Sequence, residues 1–358
     1  MWVFLRLFVF CKRGIGVLFE FQKHISTSQA TLPVVSVAAL VAWFMLPSNP
    51  VPAAFSGEAY GLWEHVPLFL QMGWWSQAAS AVCVAIAVYL MIELNNANVL
   101  LRVSSRMLSC MLLLLLVFVP THSFQPGCVV MLLVLLSFFP LMASFQYPHP
   151  VLAFETFLLL SLASLVFPKL FWMVPLYWGL QGYLRAFSFK CFVASLLALL
   201  LPYWFFAGIA FVMGSFSDFL EHVQVVADVR LGAVRWDAAQ MVTLGFVVLL
   251  FATGAVDFFI NRLKDKTRTR VVYNMLIIHG LYVIVLLFLQ SQLFWTLLLL
   301  LLIDTAILFG HFFSLTHTKF SHVYCLVLLV IAAAIMTFQY IPGLFDKLHL
   351  IELFRWIH

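Results

Sequence analysis

An aspartate stands in the middle of "LLLLLLIDTAILFGHFF", residues 297–313, a run that otherwise reads as lipid-facing helix. A charge at the centre of a bilayer costs about 2.5–3.5 kcal/mol even on the lenient insertion scale, so an acid there turns into the helix bundle and towards a partner. Asp304 lies eight residues from the end of its span, and His279 lies eight residues from the start of the preceding one. At about 1.5 Å per residue, both sit roughly 12 Å deep. The two spans are consecutive and antiparallel, joined by the short turn "QSQ", so Asp304–His279 is a candidate buried pair. His311 follows Asp304 by seven residues on the same helical face, and Asp257 and Glu155 lie in the same third of their own spans.

Two kinds of chemistry fit these residues. A carboxyl and an imidazole in an inner-half polar cavity can pass a proton. Alternatively, the pair is a hydrogen-bonded or protonated lock between helices, contributing around 1 kcal/mol. Asp257 and Glu155 also suit snorkelling towards the membrane surface.

Other residues offer different chemistry. The segment "SNPVPAAFSGEAYGLWEHVPLFLQMGWW", 48–75, carries Glu58, Glu64 and His65 and no basic residue. Glu58 or Glu64 could act as general base on a hydroxyl acceptor; the plainer reading is a solvated loop. Arg102, Arg106 and Arg185 are candidates for binding lipid phosphate, and are equally accounted for as anchors of membrane orientation. The turn "HFFSLTHTKFSH", 311–322, invites a metal. On one helix, however, His311 and His322 would stand about 16 Å apart with His317 pointing elsewhere. No metal site is expected. Six cysteines are scattered without a CxxC, which supports neither a disulfide framework nor a zinc site. No cofactor loop or nucleophile motif is present, so no cofactor is expected.

The elements that must position these residues follow from composition. Of 358 residues, 65% are hydrophobic and 9% charged, against about 45–50% and about 25% in a soluble domain. Single cores stop growing near roughly 250–300 residues, so this excess cannot be buried in one of them. The solvent must be lipid, and apolar runs of about 20 residues recur along the chain. The expected fold is an all-α, polytopic transmembrane helical bundle, one integral membrane domain over residues 1–358. Eleven spans are expected near 31–47, 75–93, 104–120, 128–145, 151–167, 170–185, 190–213, 240–260, 271–289, 293–312 and 321–340. The fifth and sixth could instead form one re-entrant pair, and Pro202 should kink the seventh. Residues 1–24 read as an interfacial segment. The stretch 215–240 places Phe216, Phe219, Leu220, Val223 and Val226 at the spacing of an amphipathic helix on the outer surface.

With the N-terminus cytoplasmic, 14 of the 19 basic residues fall on the inner side, and "NRLKDKTRTR", 261–270, is the strongest anchor. The net charge of +5 therefore encodes orientation, and no nucleic-acid partner is expected.

The stretches "ELNNANVLLRVSSRM" (93–107), "AFETFLLLSLASLVFPKLFW" (153–172), "LLALLLPYWFFAG" (196–208) and "GHFFSLTHTKFSHV" (310–323) resemble an uncharacterised family of polytopic inner-membrane proteins from Bacteroidota. A more distant similarity is to the GT-C class of polyprenyl-phosphate-sugar glycosyltransferases, which pair many spans with an acidic first outer loop, here 48–75. The resemblance implies a bacterial cytoplasmic (inner) membrane protein of cell-envelope biogenesis. It further implies Glu58 or Glu64 as base, a polyprenyl-phosphate-linked sugar as substrate, and membrane lipids as partners. Two rivals remain open: a proton-coupled transporter using Asp304, His279 and Asp257, and a non-catalytic assembly subunit with membrane-protein partners.

Overall fold

The computed structural model describes residues 30–45, 73–102, 105–119, 122–227, 236–290, 293–316 and 319–340, with a few isolated positions before residue 73. Among these residues the structure is all α. The helices are α1 (Thr31–Met45), α2 (Gly73–Asn98), α3 (Met107–Phe118), α4 (Pro126–Ala143), α5 (Pro150–Val166), α6 (Val174–Tyr183), α7 (Phe189–Met213), α8 (Phe216–Ala227), α9 (Ala238–Asn261), α10 (Thr267–Leu289), α11 (Phe294–Leu315) and α12 (Lys319–Tyr340). Helix is what these apolar runs must form in lipid, because only an internal ladder satisfies the backbone there. Prolines occupy the first turn of α4, α5 and α6, where a missing N–H costs nothing. Ser188 caps α7 by accepting from the Cys191 amide, and an Asp237–Gln240 capping box opens α9.

Among the described residues, six helical segments are long and apolar enough to cross a membrane: Gly73–Asn98, Pro126–Ala143, Phe189–Met213, Ala238–Lys264, Thr267–Leu289 and Phe294–Leu315. Thr31–Met45, Met107–Phe118, Pro150–Val166 and Ser321–Thr337 are shorter apolar helices. The expected span at 170–185 is composite, a 3-10 segment Pro168–Met173 continuing into α6. At about 2.0 Å per 3-10 residue and 1.5 Å per α residue it covers roughly 27 Å, close to the roughly 25 Å of α5. The Gln146 amide donates to the Leu184 carbonyl at 2.9 Å, so the entry to α5 and the exit from α6 lie side by side. Pro202 sits inside α7 and removes the donor that would reach residue 198. Ser161 of α5 donates to the adjacent Leu199 carbonyl at 2.8 Å.

The helix carrying Asp304 is the centre of the bundle. α11 packs on α3, α4, α9 and α10, and every residue from Thr296 to Phe312 is buried. Its leucine run thus faces protein, which corrects the lipid-facing reading. Neighbours approach closely at glycine. A Cβ on Gly254 of α9 would lie 2.6 Å from the Leu308 carbonyl carbon, and one on Gly310 would lie 2.7 Å from Leu108. Such small-residue contacts are how helices associate where lipid is as apolar as leucine. At the periphery, α7 exposes Trp204, Phe205, Phe211 and Val212. The amphipathic α8 rests on α7 and the 3-10 segment with Phe216, Leu220 and Val223 outward.

Contacts between connectors sort into two groups. One joins Arg102 to Asp265, Arg268 to Asn98 and the Met142 carbonyl, and Thr316 to Asp257. The other joins Trp43 and Ser80 to His122, Ser76 to the Phe124 amide, Trp172 to Val226, and Tyr282 to Trp172. Helices α2 to α7 and α9 to α11 each run from one group to the other. Arg102, Arg106, Arg185, Lys190, Arg262, Lys264, Lys266, Arg268 and Arg270 all belong to the first group, termed the basic end below; Lys169 belongs to the other.

Candidate functional site

Helices α10 and α11 are consecutive and antiparallel, and their facing sides bring His279 and Asp304 together. His279 Nδ1 lies 2.7 Å from Asp304 Oδ2, and both side chains are fully enclosed. The enclosure comes from α4 and α6. The Phe138 ring meets His279 edge-on with centroids 5.1 Å apart, and Tyr177 does so at 6.1 Å. Ser137 donates to the Val134 carbonyl at 2.7 Å, so the 2.9 Å contact between Ser137 and Tyr177 has the tyrosine hydroxyl as donor. Tyr177 therefore spends its proton on Ser137 rather than on the pair. Asp304 Oδ1 and His279 Nε2 are buried with no hydrogen-bond partner.

That arrangement constrains charge. An unpaired ion in such surroundings costs several kcal/mol, so the pair favours zero net charge, either as acid with neutral imidazole or as carboxylate with imidazolium. Both forms hold one exchangeable proton across a 2.7 Å contact. Removing it leaves a bare negative charge in the core of the bundle.

A second acid–imidazole group lies at the basic end. Asp265, in the connector between α9 and α10, places Oδ1 2.7 Å from Arg102 Nε and Oδ2 3.5 Å from His311 Nε2. The side chains of Asp265 and His311 are enclosed, while that of Arg102 is 35% exposed. Tyr273 packs on the His311 ring with centroids 4.7 Å apart, and Phe258 flanks it. Burial pushes the Asp265 carboxyl up, but His311 and Arg102 together outweigh it and hold the group below the usual carboxylate range.

The remaining candidates are scattered. Asp257 does not snorkel: it is buried, and its Oδ1 accepts from Asn261 and from Thr316, each at 2.9 Å. Glu155 is exposed near the basic end of α5. Arg106 and Arg185 are exposed as well, with Arg185 in the left-handed position after α6 at φ 56°. Glu58, Glu64 and His317 lie outside the described residues. Among the described residues no group of three or more His, Cys, Asp or Glu could hold a metal ion. An apolar cleft of about 330 Å³ between α3, α9, α11 and α12 is lined by neither member of the buried pair. At the opposite end, burial pushes His122 and His222 down to about 4, against a weaker upward pull on His122 from the Val117 carbonyl.

Sequence reasoning missed Asp265, Tyr177 and Ser137. Asp265 is the one acid inside "NRLKDKTRTR", and an isolated carboxylate among five bases at a span end was the available signal. Comparison with protein-family models, curated proteins and solved structures finds no match for this chain.

Proposed function

We propose that this chain is a multi-pass protein of a bacterial cytoplasmic membrane that couples solute movement to protons, with Asp304–His279 as the proton-loading pair. The observation that carries this reading is the enclosed 2.7 Å contact on the central helix, with Asp304 Oδ1 and His279 Nε2 left without partners. A pair kept for packing alone would be an inefficient device, because replacing a buried ionic pair by apolar side chains of similar volume is often neutral or stabilising. Coupling follows from charge. Since a bare carboxylate in the core is costly, the proton leaves when the site opens to water or when another positive charge takes its place. The enclosed arrangement corresponds to the occluded state between those events. The transferase reading, with its place in envelope biogenesis, depends on Glu58 and Glu64 and gains no support from the described geometry.

The same proposal places the basic end in the cytoplasm, with α8 on the outer surface and eleven crossings formed by α1 to α7 and α9 to α12, the 3-10 segment included in the sixth. The nine basic side chains gathered at one end support that orientation. In a background without native cysteines, a cysteine at Glu58 should react with an impermeant maleimide on intact cells, and one at Lys264 only after permeabilisation. The reverse pattern would invert the topology.

The coupling itself is tested in proteoliposomes holding a preset pH gradient, reported by a trapped dye, to which a panel of ions and small solutes is added singly. A solute that collapses the gradient only when the protein is present is the expected result. If no solute does so, and the gradient decays as in empty liposomes, the reading fails.

A further inference from the structure

We infer that Asp265 and His311 form the port through which protons pass between the basic-end solvent and the buried Asp304–His279 pair. This inference rests on the proton-loading reading of that pair. His311 follows Asp304 by seven residues on α11, two helical turns, which keeps both on one face about 10 Å apart along the axis. Both ring nitrogens of His311 are buried without a hydrogen-bond partner. Its Nε2 is 3.5 Å from Asp265 Oδ2, longer than a direct N–H···O bond and short enough for a protonated ring to close on the carboxylate. Arg102 holds the other carboxylate oxygen at 2.7 Å and is itself partly exposed, so the group reaches from solvent to the enclosed ring.

The proton balance is simple. A solvent proton binds His311 Nε2, giving an imidazolium beside the Asp265 carboxylate. The proton on Nδ1 then leaves for water admitted when the bundle opens, and that water protonates the Asp304–His279 pair. Two ring nitrogens allow uptake on one and release from the other. His311 and Arg102 together keep Asp265 ionised, so an arriving proton is not retained on the carboxylate. Other titratable or charged groups near this end of α11 come from each surrounding element. They are Arg106 at the start of α3, Asp257 on α9 held by Asn261 and Thr316, Arg268, Arg270 and Tyr273 on α10, and His322 and Tyr324 on α12, whose Tyr324 ring meets Phe312. α4 supplies no charged residue.

The test is a pH jump on the purified full-length protein, following the Asp304 carboxyl by time-resolved infrared spectroscopy. In His311→Gln the exchange rate should fall at least tenfold while the equilibrium titration of Asp304 stays in place, and added imidazole should restore the rate. Arg102→Gln, which leaves the enclosed ring untouched, should also slow exchange. Unchanged rates in both variants would overturn the port while leaving the loading pair standing, and so would a slowed rate that imidazole does not rescue. A wild-type Asp304 signal that never titrates would overturn both readings.

Discussion

Asp304→Asn should abolish solute-linked proton movement and leave the bundle folded. The amide has nearly the shape of the carboxyl, and its oxygen can still accept from His279 Nδ1, which in the wild type lies 2.7 Å from Asp304 Oδ2. Packing among Phe138, Tyr177 and α11 is therefore kept, while the exchangeable proton is gone. In the gradient-collapse assay the expected loss is at least about 100-fold, the scale on which removing a positioned acid–base group acts. The thermal midpoint in detergent should move by only a few degrees, as for other substitutions of roughly 1 kcal/mol. A helix lock predicts the opposite pattern, with Asn tolerated in function because the interhelical hydrogen bond survives. His279→Gln should parallel Asp304→Asn, since it too keeps a polar contact without a titratable ring.

Gly254→Leu should cost the most stability of any single change at the bundle centre. A Cβ there would lie 2.6 Å from the Leu308 carbonyl carbon and 2.8 Å from both Leu308 Cβ and the carbonyl oxygen. Those are mostly backbone atoms of the central helix and cannot swing aside, so α9 must move off α11. Overpacking of this kind costs about 1–3 kcal/mol, occasionally more, and Gly254→Ala should already show part of the loss. Gly245, on the same helix with open space beside it, is the control, and Gly245→Ala should leave the midpoint unchanged. Displacing α9 also strains the contact between Asp257 and Thr316, so the basic end should loosen along with the core. A midpoint for Gly254→Leu equal to wild type would mean that the α9–α11 approach does not hold the bundle together.

The helices were legible because lipid leaves so little choice: apolar runs bounded by Pro, Gly and short basic connectors can only be helices. The Asp304–His279 contact was legible in part. Equal depth on consecutive antiparallel helices brings the two together, and the cost of exposing either group to hydrocarbon turns both inward. Rotation about each helix axis is fixed only by the fold. The central position of α11 was not, because lipid and protein interior are equally apolar and a leucine run looks the same in both. The better signal lay in other helices, at Gly127 and Gly254, whose missing side chains let α4 and α9 close on it. Asp257 was misread for a different reason. Its partner Thr316 is 59 residues away in the chain, and no periodicity reveals a contact that depends on how α9 meets the end of α11. Asp265 was hidden by the basic residues around it, which in sequence explain themselves as anchors and in the fold leave the acid turned inward. The composite sixth element was foreshadowed by Pro168, where α5 must stop.

The central claim is that the enclosed carboxyl of Asp304 exchanges a proton with its surroundings. Infrared titration of the purified protein, taken as the difference between wild type and Asp304→Asn, reads that group directly. The account predicts that the pair loses one proton as pH rises and regains it when pH is lowered. The loss is seen either as a protonated-carboxyl stretch, absent from the variant, that disappears, or as imidazolium bands of isotope-labelled histidine that give way to imidazole. Carboxyl and imidazole signals that both stay fixed at every pH at which the protein remains folded would contradict it and leave Asp304–His279 as a lock between two helices.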